Sequence, residues 1–173
     1  MKLKYILPGL LIALFTVSCS EDDSNYEAPI VNEVEGLNKV QEITNNDHTI
    51  ELYTASGRFY TGYNAISIRI KDNTTGTYIE NASVSWMPVM QMPTMQHSCP
   101  NTNPIKEPGK DTVYSGNIIY QMAFEDGTGW SLTVNYTIND MDYSAMAAIT
   151  VMQNDDQLLE TTNWWLVFMK WKA

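Results

Sequence analysis

Residues 87–99 read M-P-V-M-Q-M-P-T-M-Q-H-S-C and concentrate the side chains that soft metals select. Met87, Met90, Met92 and Met95 are four of the chain's ten methionines. They are followed by His97, one of two histidines, and by Cys99, the one cysteine besides Cys19. Thioether, imidazole and thiolate together favour Cu(I) over harder ions. In an extended run, Met95, His97 and Cys99 share one face at intervals of roughly 6.6 Å, and Met90 and Met92 stand in the same relation. Pro93 lies between the two groups, where a bend would make them converge. Cu(I) tolerates irregular coordination, so a Met/His set with or without Cys99 suffices.

Other metals fit this segment less well. Structural zinc takes four Cys or His ligands, and the neighbourhood supplies one of each unless the fold brings His48 near. Calcium and magnesium prefer oxygen, and no D-x-D-x-D-G run is present. The competing explanation is packing, because methionine fills irregular gaps and lines adaptable binding surfaces. Pro88 and Pro93 exclude a continuous helix through the segment and argue against a central strand.

Nothing here points to an enzyme. Two histidines leave little room for a triad or a multi-histidine centre. Cys99 and His97 have no orienting acid nearby in sequence, and no glycine-rich phosphate loop is present. The formal charge is −10, with 20 acidic residues against 10 basic. Such a balance repels phosphate backbones, so nucleic acid is not an expected partner, whereas cations are attracted.

The N-terminus reads as a leader. Lys2 and Lys4 precede an apolar run over residues 6–17, too short to span a bilayer, which takes about 20 residues. Ser18-Cys19 then resembles a bacterial lipoprotein cleavage site, with Thr16 where leucine is usual. Residues 1–18 are accordingly expected to be a signal peptide, and Cys19 the acylated residue that anchors the chain to a membrane. Ser20-Glu21-Asp22-Asp23 resembles the signal that sends Bacteroidetes lipoproteins to the outer membrane and its cell-surface leaflet. Residues 19–35 read as an acidic tether. If Cys19 is lipidated, Cys99 has no partner in the chain, and must be buried, paired with another molecule or bound to a metal.

The elements that must position the Met segment are strands. Residues 64–71 and 130–138 alternate apolar and polar side chains with period two. Residues 49–54, 82–86, 117–124, 145–152 and 164–171 are further strand candidates, separated by turn residues such as 73–76 and Asn139-Asp140. Asp126-Gly127 reads as a hairpin turn, and residues 100–109 as a Pro-rich loop. No segment carries a sustained helical period. Residues 36–173 are therefore expected to form one all-β domain, an antiparallel immunoglobulin-like β-sandwich. The ligands would sit where a strand runs out into a long connection.

The run M-P-V-M-Q-M-P-T-M-Q-H-S-C-P, followed by Tyr114-Ser115-Gly116 and by Gly129-Trp130 with its alternating strand, resembles the YtkA-like and FixH-like domains. These are small β-sandwich modules of the bacterial envelope. The resemblance covers roughly residues 64–138 and implies a copper-related envelope role with Met90, Met92, Met95 and His97 as the matching positions. The chain departs from that pattern in its lipoprotein leader, in Cys99, and in lacking a downstream H-x-M pair. Two expectations follow. The first is a lipid-anchored sandwich that stores, scavenges or transfers Cu(I), with an envelope protein as a partner. The second is a metal-free surface module whose Met segment and terminal aromatics contact a protein or glycan.

Overall fold

Alternation decides the core. Ile66, Ile68 and Ile70 point to one face of their strand and are fully buried, while Ala65 on the other face is exposed. Trp130, Leu132, Val134, Tyr136 and Ile138 repeat the pattern on a second strand. Each such Ile or Leu contributes about 1.5–3 kcal/mol on leaving water. The computed structural model describes residues 32–123 and 128–154. Cys19 with the leader, the Asp126-Gly127 turn and the expected strand over 164–171 lie outside the described residues.

The first sheet has the order β1 (Asn38–Thr44), β2 (His48–Thr54), β4 (Gly62–Asp72), β8 (Tyr114–Tyr120) and β7 (Asn101–Lys106). The second runs β10 (Met141–Ile149), β9 (Gly129–Ile138), β5 (Ser83–Gln91) and β6 (Gln96–Ser98). All pairings within both sheets are antiparallel. A short parallel pair, β3 (Phe59–Tyr60) with β11 (Val151–Met152), completes the set. The inner faces share one apolar cluster that includes Ile50, Leu52 and Ile68 from the first sheet and Trp86, Leu132 and Val134 from the second. The protein is an all-β antiparallel sandwich of immunoglobulin-like form, with the chain crossing between sheets.

Short polar devices set the turns. The Asp72 carboxylate accepts the N–H groups of Thr74 and Thr75 at 2.8 Å each, and Gly76 follows at φ +75°. Asn139 and Asp140 both adopt positive φ in a two-residue hairpin closed by the Ile138–Met141 pair, as residues of their kind tolerate. The β4–β5 crossover is pinned by the Tyr114 hydroxyl, which donates to the Glu80 carbonyl at 2.7 Å and accepts from Ala82 N–H at 2.9 Å.

Several expectations change. Residues 100–109 are not simply a loop, because 101–106 form edge strand β7, with a register shift between Thr102 and Ile105 that accommodates Pro104. Pro88 stands inside β5, an interior strand. Its carbonyl points towards β6, where Ser98 Oγ donates to it at 2.7 Å, so its missing N–H also faces that side. The β6 ladder begins only at Val89, and no β5–β9 bond is lost. Strands β8 and β9, on either side of Asp126-Gly127, belong to different sheets, so the connection is a crossover and not a hairpin. The fold also begins before residue 36. Glu33 accepts the backbone N–H groups of Asp111 and Thr112 at 2.6 and 3.0 Å, and Val34 packs with Tyr53 and Val113.

Candidate functional site

The Met-rich segment is a hairpin. β5 and β6 are joined by Met92-Pro93-Thr94-Met95, closed by Met92 N–H to the Met95 carbonyl at 2.9 Å. Pro93 suits the second position of such a turn because its φ is already set. The candidate ligands therefore lie on two paired strands, and the expected long connection is not what presents them.

Register fixes how the side chains meet. Met90 pairs with His97, and the turn sets Met92 beside Met95. Carried one step inward, the same register puts Cys99 across from Pro88. Side chains two residues apart project to one face of a strand, so Met90, Met92, Met95, His97 and Cys99 all belong to the inward-facing side of this hairpin. Directly opposed Cβ atoms in such pairs lie about 4.5–5.5 Å apart.

Burial grades along that face. Met95 at the tip is 59% exposed, and Met92 and His97 are half-buried. Met90 is 0% exposed and Cys99 5%, both within the core cluster. From Met95 to Cys99 the strand advances about 13 Å, so one ion cannot touch both. Burial pushes the Cys99 thiol up to about 11. It is a buried thiol of the core.

His97 is held from two sides. Its ring meets that of Trp130 edge-on at 5.7 Å, above Met90, which pairs with Trp130 on the far side. Its Nδ1 lies 3.1 Å from the Ser98 carbonyl. A carbonyl only accepts, so Nδ1 carries the proton and the Nε2 lone pair is left for a ligand. Trp130 is anchored by Nε1–H donating to the Met122 carbonyl at 2.9 Å.

His48 does not join this group. It packs edge-on against Tyr136 and Tyr143, at 5.4 and 4.7 Å. Tyr136 stands six residues along β9 from Trp130, a separation of about 20 Å. Among the described residues no three His, Cys, Asp or Glu side chains converge. A sulfur-rich set is a different matter, since it draws on methionine. Trp130 and Tyr120, which wall the site from beneath, were not singled out as site residues in the sequence, because the β5–β9 and β8 packing that brings them there is long-range.

No protein-family model matches this chain, and no curated protein matches it. Among solved structures, the chain is similar to the GAE domain of GGA2p from Saccharomyces cerevisiae, at 15% identity and a TM-score of 0.31. That match covers 66% of this chain and 96% of that one. At that score the likeness adds nothing to what the strand order already shows.

Proposed function

We propose that this protein binds a soft monovalent ion, Cu(I), at the tip of the β5–β6 hairpin, through the thioethers of Met92 and Met95 and Nε2 of His97, with Met90 beneath. The observation that carries the reading is the common face of these residues on one short hairpin, open to solvent at Met95 and closed by Trp130 below. Thioethers and one neutral imidazole give a site that prefers Cu(I) to Zn(II) or Ca(II). Half-exposure suits an ion that is loaded and handed on rather than locked away. With the leader read as a lipoprotein signal and Cys19 as the acylated residue, the site would sit at the outer membrane, to store, scavenge or pass copper to an envelope partner.

The test is anaerobic competition of the full chain, in detergent, against a colorimetric Cu(I) chelator. One equivalent held by the wild type, and lost in the Met92→Leu/Met95→Leu/His97→Ala variant with unchanged melting temperature, supports the reading. No competition by the wild type overturns it and leaves the hairpin as a contact surface for a protein or glycan.

A further inference from the structure

The outer face of the first sheet is covered over only half its length. At one end the Arg69 guanidinium lies over the Tyr78 ring, 3.4 Å from its centroid, and Val34 packs with Tyr53 and Val113. At the other end apolar side chains stand in the open, with Tyr63 65% exposed, Ile105 71% and Ile119 41%. Register groups them, since Tyr63 pairs with Ile119, and Ser115 pairs with both Ser67 and Ile105. The Tyr63 hydroxyl is held along this face by donating to Asn117 Oδ1 at 2.6 Å. Across β4, β8 and β7 runs a groove of about 560 Å³, lined by Ala65, Ser67, Ile105, Ser115 and Asn117. Exposed apolar side chains grouped on one face mark a contact surface.

The described chain leaves the fold beside this face. After β11, Thr61 N–H donates to the Met152 carbonyl at 2.9 Å and Asn154 N–H to Thr61 Oγ1 at 3.0 Å, two residues before Tyr63. Further along the sequence, residues 164–171 read W-W-L-V-F-M-K-W. In an extended run Trp165, Val167, Met169 and Trp171 share one wholly apolar face. Such a run is about 23 Å long, enough to cover the stretch of about 13 Å from Ile119 to Ser115. The intervening residues 155–163 reach up to about 30 Å, ample from Thr61 to any point on the face. The sandwich interior is already closed, because Ile50, Leu52, Ile68, Leu132 and Val134 are fully buried without the segment. The depression on the outer face of the second sheet is lined by Ser83, Ser85, Asn135, Thr137 and Asp142, and offers hydrogen bonds rather than apolar contact. We propose that residues 164–171 dock along the open half of the first sheet's outer face, over Tyr63, Ile105 and Ile119, with Trp165, Val167, Met169 and Trp171 towards the sheet. The terminal aromatics then belong to the domain's own packing rather than to a surface for a protein or glycan. This holds with or without a metal at the hairpin.

Photo-cross-linking of the full chain in detergent tests this. The photoreactive residue p-benzoylphenylalanine is placed at Ile119 or at Ile105, exposed positions where a larger side chain does not disturb the core. Met146, exposed on β10 of the second sheet, is the control position. Peptide mass spectrometry after irradiation reads where each label lands. The expected result is a label on residues 164–171 of the same chain, at monomer mass, from Ile119 and from Ile105, and its loss when the group is moved to Met146. Covalent dimers joined through 164–171 would assign the face to a second copy and overturn docking within one chain. Labels from Ile119 and Ile105 that miss 164–171, or an equal yield from Met146, would overturn it as well.

Discussion

Gly116 is the position where the packing of β8 against its neighbours can be tested with one methyl group. A Cβ built there would lie 2.7 Å from the Thr102 carbonyl oxygen, 2.8 Å from Cζ2 of Trp86 and 3.0 Å from the Pro104 nitrogen. Two of those three atoms are backbone of β7, at the register shift that accommodates Pro104, and the third belongs to a buried ring between the sheets. None is the free end of a flexible chain. Gly116→Ala must therefore move the β7 edge or the Trp86 ring by several tenths of an ångström. Overpacking of this kind costs about 1–3 kcal/mol. The loss of glycine's freedom in the unfolded chain offsets about 0.4–1 kcal/mol of that. The net, about 1–2 kcal/mol, corresponds to a fall in melting temperature of roughly 3–10 °C for a domain of this size. Gly129→Ala is the control, since a Cβ there meets nothing within 4 Å and its φ is not positive. Thermal unfolding followed by circular dichroism compares the two. A Gly116→Ala protein that melts with the wild type would refute the close packing of β7 and Trp86 on β8.

Other expected outcomes are simpler. Met90→Ala should cost about 2–5 kcal/mol in urea unfolding, as buried truncations do, whereas Met95→Leu at the exposed tip should stay within about 0.5 kcal/mol. Asn45 accepts from Asp47 N–H and His48 N–H at 3.0 and 2.7 Å and donates to Tyr136 Oη at 2.8 Å, so Asn45→Ala should lose about 1–2 kcal/mol by the same measurement. Burial alone would raise the Glu51 carboxyl, but hydrogen bonds from Tyr53, Lys39 and Tyr78 outweigh it and hold the group below its ordinary 4.5. A depressed value stabilises the fold fully above pH about 4.5 and loses that effect as pH falls through the lowered folded value. The difference between wild type and Glu51→Gln in urea midpoint should therefore be largest near pH 7 and shrink towards pH 3. A difference that stays constant over that range would contradict the assignment.

How much of this could be read from the sequence depended on whether a signal was local. Strands β4 and β9 announce themselves by alternation, because one face is packed and the other partly wet, whereas β2 is buried on both faces. Asn139-Asp140 marks its hairpin for the same local reason, tolerance of positive φ. Strands β1, β6 and β7 were missed. β6 is three residues long, and β7 carries Pro104, so each depends on its neighbour rather than on its own pattern. Pro88 misled for a related reason, since whether a proline harms a strand depends on which side its nitrogen faces, and that is set by where β6 ends. At the candidate site, the residue types and the two-residue spacing were visible in M-P-V-M-Q-M-P-T-M-Q-H-S-C. The gradient from exposed Met95 to buried Cys99 was not, because it comes from the sheet stacked behind the hairpin. Trp130 and the unpartnered Tyr120 hydroxyl likewise appear only once β8 and β9 are packed.

In the proposed site, sulfur and imidazole on one hairpin face hold Cu(I). X-ray absorption at the copper edge, on the full chain loaded anaerobically with one equivalent of Cu(I), addresses it most directly. The expected spectrum is a Cu(I) edge with sulfur scatterers and one imidazole nitrogen in the inner shell, the nitrogen lost in His97→Ala and the sulfur signal weakened in Met92→Leu/Met95→Leu. Copper bound through oxygen and nitrogen alone, or the same spectrum from all three proteins, would contradict it.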